Sequence, residues 1–208
     1  TEATRRLLST SGLPAPDLRV VFVAHSLPLE QAAGSGPGAT PGRYEAWHRG
    51  LATAITTELA ATLGVRVEGD VAYCSRSGPP TQPWLEPSVE DHLEALAAQG
   101  VRGVVIAPIG FVADHMEVVY DLDVEAAGVA RRLGLAFARV PTVRADPEFV
   151  TGLADLLLER AAEARGEEPR RPCWPRLGEP AASACPTDCC PNPSGRRPSA
   201  CEAEGTTR

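Results

Sequence analysis

The stretch "VRGVVIAPIGFVADHMEVVYDLDVE", residues 101–125, passes from a continuous apolar run into a segment rich in carboxylates. Because apolar residues fill 101–109 without polar alternation, this part predicts a strand that is covered on both faces, as in a parallel sheet. The following segment has helical periodicity and predicts a helix over about 114–133, which ends at Gly134. A strand followed directly by a helix is the repeating unit of α/β folds.

The same unit recurs along the chain. Further strands are predicted at 18–24, 67–74 and 135–140, and further helices at 43–63, 88–100 and 146–165. Strand and helix therefore alternate four times. This alternation predicts an α/β fold, in which a parallel sheet is flanked by helices on both faces.

Composition excludes several classes of protein. A net charge of −7 argues against general nucleic-acid binding, which needs a basic face. No apolar run approaches the roughly 20 residues that cross a bilayer. The chain starts at Thr1 with neither an initiator Met nor an apolar signal segment, so we expect a cytoplasmic protein and a fragment of a longer chain.

The last 43 residues differ from the rest, and we predict an α/β unit at 1–165 followed by an irregular Pro/Cys-rich tail at 166–208. The tail contains eight prolines and most of the cysteines: Cys173, Cys185, Cys189, Cys190 and Cys201. Such a composition cannot offset its ordering entropy by burial alone. The tail is therefore either disordered or held by a metal centre, since clustered cysteines in a cytosolic protein more often bind metal than form disulfides.

Polar segments follow the first three predicted strands. They are "HSLP" (25–28), "CSRSGPP" (74–80) and "DHMEVVYDLDVE" (114–125). In open α/β sheets, ligands bind beyond the carboxyl ends of the strands. A single histidine at a strand end, such as His25, is usually a surface or capping residue, but several polar segments at one sheet edge favour a functional role.

The third polar segment places carboxylates on one side of its predicted helix. Asp114, Glu117, Asp121 and Glu125 fall within roughly 80° of the circumference, and the predicted buried face is formed by Val119, Leu122, Ala126, Val129, Ala130 and Leu133. The carboxylates form either a solvated acidic face or a track that carries cations or protons toward His25. Imidazole and carboxylate together suit Fe(II), and two such ligands suit a site that passes the metal on.

Three segments resemble, in order and spacing, the C-terminal half of ferrochelatases, which insert ferrous iron into a porphyrin. They are "AHSLP" (24–28), "SRSGPPTQPWLEP" (75–87) and "PIGFVADHMEVVYDLDVE" (108–125), and the resemblance covers about residues 17–165. It implies a chelatase-like, Rossmann-like half in which His25 and Glu117 face each other across the porphyrin pocket as catalytic and Fe²⁺-binding residues. It also implies that Asp121 and Glu125 are an acidic relay, and that metallation needs no organic cofactor.

The tail segment "CPTDCCPNP" (185–193) resembles the cysteine-rich extension of actinobacterial ferrochelatases, some of which carry a [2Fe–2S] cluster. The resemblance makes Cys173, Cys185, Cys189 and Cys190 candidate cluster ligands, with Cys201 a further one. A disordered or redox-sensitive tail is the alternative. The same resemblance implies coproporphyrin III, rather than protoporphyrin IX, as the porphyrin.

Ferrochelatases resemble two α/β units, and this chain supplies one of them. The expected partner is therefore the missing N-terminal half, or a second copy through self-association. A half-length homodimeric tetrapyrrole chelatase and a non-catalytic metal- or haem-binding protein are the two other hypotheses. Outside the three segments, His48 and His92 are predicted to be solvated, and Cys74 to be a small apolar packing residue.

Overall fold

The computed structural model of the chain describes residues 1–36, 42–79, 81–171, 185 and 189–191. The strands are β1 (Leu18–His25), β2 (Glu68–Cys74), β3 (Gly103–Ala107) and β4 (Ala136–Arg139). The helices are α1 (Glu2–Ser11), α2 (Leu29–Ala33), α3 (Arg43–Leu63), α4 (Val89–Ala98), α5 (Met116–Val119), α6 (Ala127–Leu133) and α7 (Pro147–Ala164), with a short 3₁₀ turn at Ala15–Asp17 and a π-helical segment at Tyr120–Ala126.

The strands form one parallel sheet in the order β2-β1-β3-β4, so the predicted fold class is confirmed. Alternate residues of β1 enter two separate cores. Val21 and Val23 pack with side chains of α4 and of the α5–α6 helix on one face. Val20 and Phe22 pack with side chains of α1 and α3 on the other. Both faces of the sheet are therefore covered, which explains why the strand sequences are continuously apolar.

The predicted helix signals operate as expected. Ser88 caps α4, where its Oγ accepts a hydrogen bond from the Asp91 backbone N–H at 3.1 Å. Asp146 caps α7 in the same way, and Pro147 occupies the first helical position. Helix α3 ends at Leu63, followed by Gly64 with φ +67°. At these places local capping chemistry alone determines where a helix begins or ends.

Three helices differ from the prediction. Helices α1 and α2 were not predicted, and Leu7 of α1 joins the core beside β1. The helix predicted at 114–133 begins at Met116, and its middle turns are π-helical. Val118 is fully buried, whereas Val119, which was predicted to lie on the buried face, is only partly buried.

The chain divides into two compact units. Unit 1 comprises Thr1–Pro28 and His48–Thr142 and contains the whole sheet; unit 2 comprises Leu29–Trp47 and Val143–Arg208. The predicted boundary at residue 165 stays a prediction. Within the part of the chain that the structure describes, no helix combines the length and apolarity needed to span a membrane.

Helix α7 of unit 2 exposes its apolar side chains. None of its residues is buried, and five large apolar ones are exposed by 46–73%: Val150, Leu153, Leu156, Leu157 and Leu158. Val150, Leu153 and Leu157 follow the i, i+3, i+7 spacing of one helix face. Exposed apolar stripes of this kind are typical of surfaces that contact another protein element.

Candidate active site

The first two polar segments are joined by hydrogen bonds at the carboxyl edge of the sheet. The Ser26 backbone N–H donates to the Cys74 carbonyl at 2.8 Å, and the Ser26 hydroxyl donates to the Leu85 carbonyl at 2.9 Å. The Leu85 N–H donates in turn to the Leu27 carbonyl at 2.9 Å. The loop after β1 and the loop after β2 thus form one rigid rim.

The third segment reaches the same edge through Gly110. Its backbone N–H donates to the Val23 carbonyl at 3.1 Å. A Cβ at this position would lie 2.7 Å from the Ala24 Cα, so only glycine allows the loop to approach β1 this closely. The next residue, Phe111, is buried and places its ring 6.2 Å from the ring of His25 and 5.8 Å from that of His115.

His25 is the last residue of β1 and is half-buried. Its Nδ1 lies 2.6 Å from the Ser26 carbonyl oxygen. A carbonyl only accepts hydrogen bonds, so Nδ1 carries the proton, and the lone pair of the neutral ring resides on Nε2. Nε2 is therefore the nitrogen that can act as a base or metal ligand.

Glu117 lies in the first turn of α5, two residues after His115, and is exposed. One helical turn later, the Asp121 carboxylate accepts a hydrogen bond from the Ser75 hydroxyl at 2.5 Å. Ser75 has φ +62°, a conformation that is uncommon for residues other than glycine and is often found at functional sites. The structure thus brings the second and third polar segments together at Asp121.

A pocket of about 230 Å³ opens between these segments. Ser26, Ser75, Asp121 and Glu125 line it, and Glu90 of α4 adds a further carboxylate. Burial first, and then repulsion from Glu125 and Asp121, raises the pKa of Glu90 above its usual value. The pocket therefore brings carboxylates together in a partly buried place, where they repel one another. A bound cation would reduce this repulsion.

The thiol of Cys74 also lines this pocket. Burial, with a smaller contribution from the Asp121 charge, raises the pKa of Cys74 to about 12. The thiol stays protonated at neutral pH and is not a reactive nucleophile. The prediction that Cys74 is a packing residue fits this environment.

Two sequence-based predictions for charged residues are wrong. Asp114 precedes the helix and does not extend the acidic row, because it binds Arg139 at 2.5 Å. His92 is not solvated: its side chain is 17% exposed and its Nε2 lies 3.2 Å from Asp70. The hydrogen bond from His92 is the main cause that lowers the pKa of Asp70. In both cases the partner comes from a distant part of the chain.

The sequence alone did not single out Ser75, Glu90 or Arg139. Arg139 gave a signal, since a charged residue near the end of an apolar strand usually has a buried partner. Ser75 gave none, because its backbone conformation is not encoded in its residue type. Glu90 follows a helix cap and reads as an ordinary first-turn carboxylate.

Three cysteines of the tail are described, whereas Cys173 and Cys201 lie outside the described residues. The sulfurs of Cys189 and Cys190 are 3.7 Å apart, and the Gly36 N–H donates to the Cys190 sulfur at 3.2 Å. Burial, together with hydrogen bonds to Cys190 and Cys185, raises the pKa of Cys189 to about 12. Across the described ranges, no three His, Cys, Asp or Glu side chains already form a metal-binding group.

Comparison with known proteins gives one family. A family model described as ferrochelatase matches residues 2–161. The coproporphyrin III ferrochelatase of Streptomyces griseus is 46% identical, over 89% of this chain and 51% of that protein. The corresponding protein of Propionibacterium freudenreichii is 44% identical, over 90% and 50%. The chain spans about half the length of the curated relatives it matches.

The comparison with solved structures gives a more distant likeness. The crystal structure of a putative cobalamin biosynthesis CbiX protein from Marinobacter aquaeolei aligns with a TM-score of 0.41 at 15% identity. The alignment covers 70% of this chain and 98% of that one.

The raised pKa of Glu90 gives a pH-dependent prediction. The folded protein holds this proton more tightly than the unfolded chain does. The free energy of unfolding therefore falls as pH rises from the ordinary pKa of Glu to the raised one. Glu90→Gln should raise the melting temperature near pH 7 and leave it unchanged near pH 4, where the wild-type carboxyl is protonated. Thermal denaturation followed by circular dichroism at both pH values measures this.

Glu86→Gln is the matched control, since Glu86 lies at the same pocket but is exposed. It should change the melting temperature by the same small amount at both pH values. Equal stabilisation by Glu90→Gln at both pH values would show that the ionised Glu90 carboxylate does not destabilise the folded protein.

Proposed function

Because the chain belongs to the ferrochelatase family, we propose that it is half of a cytoplasmic enzyme that inserts ferrous iron into a porphyrin in haem biosynthesis. The observation that most supports the proposal is the meeting of three polar segments at one sheet edge, where the ring of Phe111 contacts both His25 and His115 and Ser75 donates to Asp121. Coproporphyrin III is the proposed substrate, since the relatives named above bear its name.

Metallation requires groups that accept protons at the centre of the macrocycle. Two pyrrole N–H protons must leave as Fe²⁺ enters, so a base must lie within hydrogen-bond reach of the ring centre. We assign this role to the Nε2 of His25, whose tautomer is fixed by the hydrogen bond of Nδ1 to the Ser26 carbonyl. Glu117 provides a carboxylate that binds Fe²⁺ or accepts the second proton.

The acidic pocket is proposed to deliver the metal. Fe²⁺ must exchange water for nitrogen ligands, and carboxylates at successive positions allow this exchange to proceed in steps. Asp121 and Glu125 are placed one turn apart along the helix, and the Ser75 hydroxyl orients the Asp121 carboxylate. A cation that enters here also reduces the repulsion of Glu90 by Glu125 and Asp121. Glu117 then lies one turn closer to the helix start than Asp121.

The other half of the enzyme is the proposed partner of this chain. A porphyrin is a broad plate, and well-formed pockets cover about 70–90% or more of a ligand's surface. One α/β unit supplies only one wall of such a pocket. The curated relatives are about twice as long, and we propose that their additional half has a counterpart that covers the exposed stripe of α7. Self-association through the same stripe gives the second candidate, a half-length homodimeric tetrapyrrole chelatase.

The tail is proposed to hold a [2Fe–2S] cluster. The sulfurs of Cys189 and Cys190 lie 3.7 Å apart and the Cys185 thiol interacts with Cys189, so these three cysteines are the proposed ligands, which would lose their protons and rearrange when the cluster binds. The Gly36 N–H donates a hydrogen bond to the Cys190 sulfur. Hydrogen bonds to ligand sulfurs influence the reduction potential of such clusters. Cys173 is the proposed fourth ligand. When bound, such a cluster would supply electron-transfer or structural chemistry to the tail.

The assignment of His25 and Glu117 is tested by substitution in the full-length protein. His25→Ala should lower kcat for iron insertion by about 10²–10⁴-fold, the usual contribution of a general base. Glu117→Gln keeps the shape of the side chain but loses its charge and proton acceptor, so it should lower kcat as well. Porphyrin binding, measured by fluorescence titration, should survive in both variants.

His92→Ala is the matched control for His25→Ala, because His92 lies outside the polar segments and binds Asp70. It should reduce stability and leave kcat near the wild-type value. Near-normal turnover of His25→Ala would remove His25 from the mechanism.

A further prediction concerns whether the chain alone can catalyse iron insertion. The 208-residue chain should not catalyse iron insertion above the uncatalysed rate, because it lacks the second wall of the pocket. Adding the missing half should restore turnover. The measurement is an anaerobic assay with Fe²⁺ and coproporphyrin III, combined with light scattering to determine the oligomeric state. Turnover by a monomer of the chain alone contradicts the prediction, and turnover by a dimer favours the homodimeric chelatase.

The third prediction concerns the cluster. Anaerobically purified protein should absorb visible light, and Cys189→Ser together with Cys190→Ser should abolish that absorption. Since the ligands must lose protons, reconstitution should be more complete at higher pH. Cys74→Ser is the control and should leave the colour unchanged. Colourless protein after reconstitution, or protein that contains stoichiometric zinc, would rule out the [2Fe–2S] assignment.

A further inference from the structure

Two aspartates flank the segment that carries the proposed iron ligands, and one guanidinium binds both. Arg139, the last residue of β4, donates from Nε and Nη2 to the two carboxylate oxygens of Asp123, at 2.8 and 2.5 Å. Its Nη1 donates to Asp114 at 2.5 Å. Glu117 and Asp121 lie between these two aspartates in the chain.

The ion pair of Arg139 with Asp114 is shielded from water, whereas Asp123 is partly exposed. The side chain of Arg139 is 12% exposed and that of Asp114 is 8% exposed. The hydrogen bond to Asp123, and then that to Asp114, raises the pKa of Arg139 above its usual value. Because the guanidinium is planar and its nitrogens are rigidly placed, it sets both the orientation of the two aspartates and their distance from Arg139. The flexible ammonium group of a lysine cannot do this. Buried ion pairs of this kind contribute more to a defined geometry than to net stability.

The π-helical turns at Tyr120–Ala126 begin within the segment flanked by the two aspartates and include Asp123. Such turns are rare and need tertiary contacts to persist. Leu122 and Ala126 anchor the buried side of these turns in the core. Asp123, bound to Arg139, anchors the outer side. The direction in which Asp121 points is therefore set from both sides of the helix.

We propose that Arg139 is a positioning residue for iron delivery, an inference that rests on the proposed function. By holding Asp114 and Asp123, it fixes the segment between them, so that Glu117 and Asp121 present their carboxylates to Fe²⁺. It also engages the two flanking carboxylates, which then do not compete for the cation. Arg139 itself touches neither iron nor porphyrin.

Arg139→Lys in the full-length protein tests the proposal. Lysine keeps the charge, but it cannot bind Asp123 through two nitrogens and Asp114 at the same time. The KM for Fe²⁺ should rise about tenfold while the KM for the porphyrin stays within about twofold, because only the metal path is disturbed. Arg132→Lys is the matched control: Arg132 forms an exposed ion pair with Glu94 at 2.8 Å, and its loss should change neither constant.

Hydrogen exchange followed by mass spectrometry gives a readout that does not require turnover. Amides of residues 116–126 should exchange faster in Arg139→Lys and not in Arg132→Lys. If Arg139→Lys does not fold, Asp123→Asn replaces it, since Asp123 is 37% exposed and the substitution buries no unpaired charge. Asp123→Asn should shift the KM for Fe²⁺ and the exchange rates in the same direction.

Parallel increases in both KM values, or unchanged exchange at residues 116–126, would overturn the positioning role. If the wild-type protein inserts no iron, the proposed function fails, and anaerobic titration with Fe²⁺ then decides the inference separately. Weaker Fe²⁺ binding in Arg139→Lys than in wild type supports it, and equal affinity in the two proteins overturns it.

Discussion

The parallel pairing of β1 with β2 on one side and β3 on the other is the constraint on which the site depends. His25 pairs with Cys74, and Phe22 pairs with Ala107, so the three strands end at one edge of the sheet. Every loop that follows a strand must leave from that edge. Polar segments separated by about 50 and 40 residues in the chain thus become neighbours without any of them specifying the others.

Electrostatics at this edge is arranged in two groups. One group of carboxylates is paired with a cation: Asp114 and Asp123 share the Arg139 guanidinium. The other group lines the pocket, where Asp121 and Glu125 raise the pKa of Glu90. Arg139 therefore pairs with the two aspartates outside the pocket, and the remaining negative charge is concentrated at the pocket itself. A cation bound there would reduce the repulsion among these carboxylates.

The two units of the chain differ in how far their apolar residues are buried. The sheet is covered on both faces, so unit 1 has its own core. Helix α7, by contrast, exposes Leu153 and Leu157 along one stripe. The chain spans about half the length of the curated relatives it matches, and the stripe of α7 is an exposed apolar surface of the kind that contacts other protein elements.

The sequence by itself determined the α/β class, the start and end of α3, α4 and α7, and the positions of the polar segments at strand ends. These follow from apolar periodicity and capping residues, which act over a few neighbouring positions. Only the tertiary structure decided the strand order, the π-helical turns, the strained Ser75 and the partners of Asp114 and His92. The physical reason is that these features depend on groups brought together from distant parts of the chain. Local sequence states that a carboxylate is present at 114 but not that Arg139 binds it.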